Sequence, residues 1–490
     1  MVEHWLPKPR VAGSSPVCRS HPYSLFRAMA IVLLAILFIG LLLIATEAFN
    51  RINKAAVAMF AGVSCWMLYI AYGTDFVVSE HPMEFLSFLS SHPISVNSVK
   101  VFIAEHVFLR YVAQAANIVL FLLATTTIVE VLANNGCFDF ATEWLRTRKP
   151  KKLLWKLALL TFLLSANLDN LATVVLLISI VHPLLQNDRL RRIYCTVIVL
   201  AANCGGAITV IGDMTSLKLW TDRLVSPTDF FLAQVLPVAV GLCVMLLLMH
   251  RSLPQRIEFT TATPRYRGDD TLLTRPQRLL LFFVGIGGLW FIPTFHRITQ
   301  MPPFVGALCV LALLWIVNEL CNRSLLGSDQ MVRRRLPLAL QYANLQNVLF
   351  FVGLTLMFGA LCETGLPGSL VAWMNAQETN VYAVGACSAA MAGLMGSVPT
   401  QVGMADVLGH PETVWATGMD AYAAGGVFWP LLSYATAFGG SLLATGTIAG
   451  FLLMRMEEVT FGWYLRHITP KVLAGFSAGC GVWLVYALMA

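Results

Sequence analysis

Ser165-Ala-Asn-Leu-Asp-Asn170 interrupts an otherwise apolar stretch that runs from Leu153 to Gln186. A carboxylate at membrane depth costs about 3 kcal/mol on insertion scales, so a chain that keeps one there has a use for it. A polar break also frees backbone groups from the helix. Lipid tolerates that only where the freed groups line a cavity or are buried in protein. The stretch therefore reads as a broken membrane helix that places an ion or substrate site inside the bilayer.

Composition agrees. Of 490 residues, 57% are hydrophobic and only 12% charged, too few charges to cover a soluble protein of this size. Apolar runs of about 20 residues, enough for a helix to cross a bilayer, recur along the chain. The fold class expected is an all-α polytopic membrane protein. The net charge of +7 is no nucleic-acid signal, because the basic residues fall in short loops between spans. The eleven cysteines form no C-x-x-C pair and no metal-like cluster with histidine, so neither a disulfide framework nor a metal site is expected. The tryptophans read as interfacial anchors at span ends. Residues 1–28 are rich in Pro, Ser and Arg and resemble the conceptual translation of a tRNA gene. The expected working start is Met29.

Full spans are expected at 28–48, 55–73, 112–133, 193–212, 228–249, 279–295, 303–321, 346–363, 427–453 and 470–489, with broken stretches at 153–186 and 381–409. Loop charge decides how the first broken stretch sits. Arg146, Arg148, Lys149, Lys151, Lys152 and Lys156 precede it; Arg189, Arg191 and Arg192 follow. The positive-inside rule places both flanks in the cytoplasm, which makes the stretch a re-entrant hairpin with Asn167 to Asn170 at its tip. Arms of about 15 residues, at about 1.5 Å each, reach the midplane. Arg51, Lys54, the segment 250–278 and Arg333-Arg-Arg335 fall inside as well. Asp75, Glu80, Glu84, Glu363, Glu378, Glu412 and Asp420 fall outside, so 381–409 is a hairpin entered from the outer side. Full crossing of both stretches is the alternative.

The chain also repeats itself. Val119-Leu-Phe-Leu aligns with Val348-Leu-Phe-Phe, Gly136 with Gly365 and Trp144 with Trp373. Ala201-Ala-Asn-Cys-Gly-Gly206 matches Ala435-Thr-Ala-Phe-Gly-Gly440, and Gly212 matches Gly446. Five crossings separate matching spans, so the halves, 29–250 and 279–490 joined by a cytoplasmic linker 251–278, are inverted. Inverted repeats of about five spans, each with a re-entrant hairpin and an interrupted helix, are a secondary-transporter plan with its site at the repeat interface.

Two polar clusters carry the chemistry. Asp169 and Asn170 lie at the hairpin tip, flanked by Ser165, Asn167 and Thr173. Asn203, Gly205-Gly206, Gly212-Asp213, Thr215 and Ser216 follow in the next span. Glycines let that helix unwind, and freed carbonyls with side-chain oxygens suit a proton or alkali ion. The plain alternatives are that Asp169 caps a helix and that Asp213 ends a span and faces water.

The strings "FLLSANLDNLATVVLLISIV", "VIVLAANCGGAITVIGDMTSLKLW", "FFVGLTLMFGALCETG" and "FLLATTTIVEVLANNGCFD" resemble the NhaD-type sodium/proton antiporters of the ion-transporter superfamily. So does "GGSLLATGTIAGFLLMRMEEVTFGWYL", and the similarity runs from about residue 30 to the C-terminus. The resemblance implies two inverted halves working by alternating access. Carried over by motif, Asp169, Asn170, Asn203, Asp213, Thr215 and Ser216 match polar positions of family ion handling, with Ser441 as counterpart in the second half. There is one departure. Family members carry a second Asp-Asn in a run like "VDNVP"; here the run reads Gly393-Leu-Met-Gly-Ser-Val-Pro-Thr-Gln-Val402, and in ungapped register Thr400 and Gln401 replace the pair. Thr447 likewise stands where the first half has Asp213. One ion site or one proton carrier is therefore expected to be missing from the second half, which leaves stoichiometry and antiport itself open.

The function expected is exchange of sodium or lithium for protons in the inner (plasma) membrane, with Asp169 as shared carboxylate and Asp213 second. Asn167, Asn170, Asn203 and Thr215 supply neutral oxygens. No catalytic activity, cofactor or nucleic-acid partner is expected; the partners are sodium, protons, the bilayer and, as an admitted assembly, a second copy. A carboxylate carrier of the same superfamily, an intramembrane aspartyl protease using Asp169 and Asp213, and a non-transporting relative are the rivals. Ser-Asn-Thr triplets at both tips would mark the carboxylate carrier, and neither tip has one.

Overall fold

Apolar runs bounded by Pro, Gly and capping side chains become helices. The computed structural model describes residues 22–93, 95–185, 187–251, 253–254, 273–323, 345–377, 380–409 and 420–489. The expected start at Met29 turns on residues 1–21, which lie outside those described, as do most of the linker 251–278, Arg333 to Arg335, Glu378 and Glu412. Among the described residues there is no strand.

The first half runs α1 (Pro22–Ala45), α2 (Lys54–Tyr72), α3 (Val96–Asn134), α4 (Pro150–Ser165), α5 (Asn170–Leu184), α6 (Asp188–Gly206), α7 (Met214–Thr221) and α8 (Pro227–His250). The second runs α9 (Arg275–Thr299), α10 (Pro303–Cys321), α11 (Leu345–Cys362), α12 (Val381–Met395), α13 (Ser397–Leu408), α14 (Phe428–Leu442), α15 (Ile448–Met456) and α16 (Thr469–Met489). Short connecting helices are left unlabelled. Helix α3 starts well before the expected 112, because Ser95 caps its first turn and a π turn at Ile103–Phe108 carries it on. The stretch 427–453, read as one span, is two helices.

The halves repeat in order and in detail. Gly136 after α3 and Gly365 after α11 share φ 68°, a left-handed conformation that glycine adopts without a steric cost. The breaks between α6 and α7 and between α14 and α15 end alike. Asp213 (φ −144°, ψ 149°) caps α7 and Thr447 (φ −133°, ψ 154°) caps α15. The halves also exchange partners: α2 lies along α11, and α10 along α3. Gly62 and Gly353 permit the first approach, and Trp66 Nε1 donates to Leu356 O across it at 2.9 Å. Trp66, Trp220, Trp429 and Trp483 are buried, not interfacial anchors.

Both broken stretches are hairpins. Tyr194 Oη, early in α6, donates to Pro150 O at the start of α4 (3.0 Å), and Arg191 Nη1 reaches Leu185 O at the end of α5 (3.4 Å). Entry and exit thus lie together. At the other hairpin, Gly385 near the start of α12 packs on Leu431 near the start of α14, and Gly409 after α13 packs on Leu224.

The two ends of the bundle differ in charge. At the base-rich end, Arg191 pairs with buried Glu457 at 2.7 Å and Lys54 with Glu47 at 3.7 Å. At the acid-rich end, buried Glu363 receives His81 Nε2 at 2.6 Å, Tyr111 Oη at 2.7 Å and Arg110 Nη2 at 3.0 Å. Stripping one partner from a buried charge costs about 3–5 kcal/mol, so this cluster fastens the loop after α2 to the end of α11.

Two outcomes are expected. Single-cysteine reporters at Lys152 and Asp188, both exposed, label from the same side of the membrane with an impermeant maleimide; labelling from opposite sides would make 153–186 a full crossing. The hydrogen bond to Glu363 raises the His81 imidazole above its ordinary value, against the smaller downward pull of burial. The pair therefore stabilises fully below about pH 6.5 and fades as pH rises through the raised value. Thermal unfolding in detergent should show that alkaline decline, and His81→Gln should flatten it. An equal decline in the variant would assign it to another group.

Candidate functional site

The hairpin tips and helix breaks of both halves converge on a polar cavity of about 10 Å³, room for one water-sized particle. The first half contributes Asn170, Asn203, Asp213 and Thr215; the second contributes Ser397, Gln401, Ser433, Thr436 and Thr447; Ala207 and Ala437 close the wall.

Glycine makes the convergence possible. A Cβ on Gly205 would run into Phe162 O of α4, and one on Gly206 into the Asn170 amide. Asn170 is pressed over Gly206, where its Oδ1 accepts from Ser165 Oγ at 2.6 Å. Asp213 caps α7: Oδ1 accepts from Met214 N at 2.9 Å and Oδ2 from Thr215 Oγ1 at 2.6 Å. Both partners are neutral, so the carboxylate keeps its whole charge. Asn203 Nδ2 donates to Ser441 Oγ (2.9 Å) and Thr447 Oγ1 (3.4 Å), which leaves Oδ1 as its acceptor for a cation.

The second tip corrects the ungapped register. Its loop is Gly396 alone (φ 105°), against residues 166–169 in the first hairpin. The tip is shorter by that difference, so counting without a gap slides past the helix start. By position, Gly396 replaces Asp169 and Ser397 replaces Asn170. The packing agrees: Ser397 Cβ lies over Gly440 as Asn170 lies over Gly206. Thr400 and Gln401 are thus not the counterparts of Asp169 and Asn170. Thr400 Oγ1 bonds back to Gly396 O at 2.8 Å and leaves the site. Gln401 reaches the cavity from one turn deeper. Its Oε1 accepts from Thr436 Oγ1 at 2.6 Å while Nε2 is buried without a partner. Turning the amide over makes Nε2 the donor to Thr436 Oγ1, whose own proton goes to Leu432 O, and presents Oε1 to the cavity.

Other expected residues fall around the cavity, not on it. Asp169 is buried as the N-cap of α5, with Oδ2 accepting from Leu171 N (3.1 Å) and Ala172 N (3.4 Å), and it is an electrostatic neighbour of Asp213. Asn167 bonds back to Leu163 O on the hairpin arm. Ser216 faces Ser433 at 3.4 Å, and Ser441 orients Asn203. The sequence reading missed Ser397, Ser433 and Thr436. The "VP" of Val398-Pro399 was the available signal for the first, since it fixes the family run on Gly396-Ser397.

Space lies on both sides. Ser397 and Thr447 also line a crevice of about 30 Å³ that runs to Glu47 and Lys54 at the base-rich end. A vestibule of about 440 Å³ opens at the acid-rich end, walled by Glu80, Glu84, Asp222, Glu363 and Asp406 among others. Such a site selects a small hard cation: one carboxylate, several neutral oxygens and, among the described residues, no lysine or arginine in the wall.

A family model described as citrate transporter (CitMHS) matches residues 41–439. Sodium/proton antiporter 2 of Arabidopsis thaliana is 30% identical over 459 residues, covering 92% of this chain and 98% of the relative. Sodium/proton antiporter 1 of the same plant is 33% identical over 382 residues, 76% of this chain, which spans only 62% of that relative's length. The Na+/H+ antiporter NhaD of Vibrio parahaemolyticus is 26% identical over 403 residues, 76% of this chain and 90% of the relative. Among solved structures, the Alcanivorax borkumensis YdaH transporter, described as having an unusual topology, matches with a TM-score of 0.54 at 12% identity, over 84% of this chain and 97% of that one. That likeness concerns the fold. With its inverted hairpins and oxygen-lined centre, the chain belongs to the citrate-transporter family of membrane transporters and, within it, to the NhaD-type sodium/proton antiporters.

Proposed function

We propose that the chain exchanges sodium or lithium for protons, with Asp213 as the carboxylate both ions share. The observation that carries this reading is the wall of the central cavity, where Asp213 is the one ionisable side chain among the described residues. A carboxylate removed from water favours its protonated form, and a cation arriving beside it favours the ionised one. Proton and metal ion then compete for a single group, and alternating access turns that competition into coupled flux. Asn203 Oδ1, Thr215 and the Asn170 and Gln401 amides supply the remaining oxygens. Asp169 acts beside the site, capping α5 and adding negative field near Asp213.

Transport of citrate is the weaker reading despite the family's name. A tricarboxylate needs far more than about 10 Å³ and a cationic partner in the wall, and this cavity offers neither. The base-rich end would face the cytoplasm, in an inner or plasma membrane.

Everted vesicles test the reading: adding sodium should release protons from the acidified lumen. Asp213→Asn keeps the shape, loses the titrating group and should leave less than about a tenth of that exchange. Asp169→Asn should keep its fold, because Asn caps helices as well as Asp does, while raising the sodium concentration for half-maximal exchange. Wild-type exchange in Asp213→Asn would sink the assignment.

A further inference from the structure

We propose that Asp406 is a second proton-carrying carboxylate of the exchange cycle, held by Lys218 and Asp222 between the acidic vestibule and the central cavity. The inference rests on the exchange reading above.

The two helices that build the cavity also build this site. On α7, Thr215 bonds Asp213, Lys218 follows one turn later, and Asp222 just past the helix end. On α13, Gln401 lines the cavity and Asp406 lies further along towards the vestibule. Lys218 Nζ stands 2.7 Å from Asp406 Oδ1 and 2.8 Å from Asp222 Oδ2. The lysine side chain is 2% exposed and that of Asp406 8%, whereas Asp222 is 18% exposed. Asp222 and Asp406 both form part of the vestibule wall.

Charge makes the site a proton acceptor. One lysine faces two carboxylates, so the ionised triad carries a net negative charge in a place where charge is costly. Asp406 Oδ2 is buried and has no hydrogen-bond partner among the described residues. The other groups near it do not fill that gap. Cys362 Sγ reaches only the Asp406 backbone carbonyl at 3.4 Å, Glu363 is saturated by His81, Tyr111 and Arg110, and Arg223 belongs to the vestibule wall. A hydronium ion of the vestibule gives its proton to the Asp406 carboxylate: one of its O–H bonds breaks, one forms at Oδ2, water leaves, the Lys218–Asp222 pair stays in place and the triad becomes neutral. No other bond changes. The second hairpin, which has Gly396 in place of Asp169, thereby regains a carboxylate on its own inner arm.

The consequence is electrical. With Asp213 and Asp406 each moving a proton against one sodium, a cycle carries one net charge, and a potential of about 100 mV biases forward over reverse flux by up to roughly fiftyfold. The experiment is sodium/proton exchange by the full chain in proteoliposomes, with and without an imposed potassium-diffusion potential. Wild type should be strongly driven by potential; Asp406→Asn should exchange more slowly and ignore it. Leaving Lys218 short of a partner threatens folding, so Lys218→Met/Asp406→Asn, which removes both charges, is run beside it with a thermal melt. That double variant should also ignore potential. Potential-driven exchange in either variant, or its absence in wild type, overturns the proposal. If wild type moves no protons in response to sodium, the exchange reading itself fails.

Discussion

Phe162 O of α4 occupies the space a Cβ on Gly205 would need, and the Asn170 amide occupies that space at Gly206. These contacts hold the remaining structure in place. A helix that breaks inside a membrane exposes backbone groups that lipid does not satisfy. They are covered only if the hairpin tip comes directly against the interrupted helix, which glycine alone permits. Ser165 Oγ then reaches Ala202 O at 2.8 Å, and Thr209 Oγ1 reaches Ala166 O, so each break is closed by the other. The second half repeats the device: Gly439 admits Ala389 O, and Gly440 admits Ser397.

Paired charge distinguishes the site from its surroundings. Glu363 has Arg110 and His81, Glu457 has Arg191, and Asp406 has Lys218. Asp213 has a hydroxyl and a backbone amide only. A buried carboxylate answered by dipoles alone is costly to keep ionised. A proton or a bound cation removes that cost, and that difference is the driving force for occupancy. The ion pairs of Glu363 and Glu457 hold helices together; Asp213, with no cation beside it among the described residues, is left free to exchange its partner.

Much of this was legible in the sequence because it depends on local signals. Basic residues on both sides of 153–186 give the hairpin, and Gly136 and Gly365 mark the repeat with the same φ. Asn170, Asn203, Asp213 and Thr215 could be named because polar residues inside apolar helices are few. What failed depended on geometry that spacing does not carry. The tip at Gly396 is three residues shorter than the first, so an ungapped count runs past Ser397 into α13. Asp169 was ranked above Asp213 because nothing in "ANLDN" says which carboxylate turns into the cavity and which onto its own helix. Lys218 and Asp406 sit in different halves, and each looks like a lone polar residue until the fold brings them to 2.7 Å.

The same fold can be matched to citrate or to sodium, and the helix N-termini show what decides. Breaking a helix leaves an N-terminus whose unsatisfied amides attract anions, so a broken-helix centre is by default an anion site. A carrier of carboxylates would leave those amides open for its substrate. In this chain they are already occupied: Asp169 accepts from the first turn of α5, Asp213 from that of α7, and Thr447 Oγ1 from Gly450 N of α15. Two carboxylates and a hydroxyl from its own chain answer the positive ends and leave net negative charge at the centre. Of the N-termini at the centre, α13 alone, behind Gly396, has no side-chain cap. One open end beside a carboxylate-bearing wall gives an anion no net attraction, and a cation meets Asp213 unopposed.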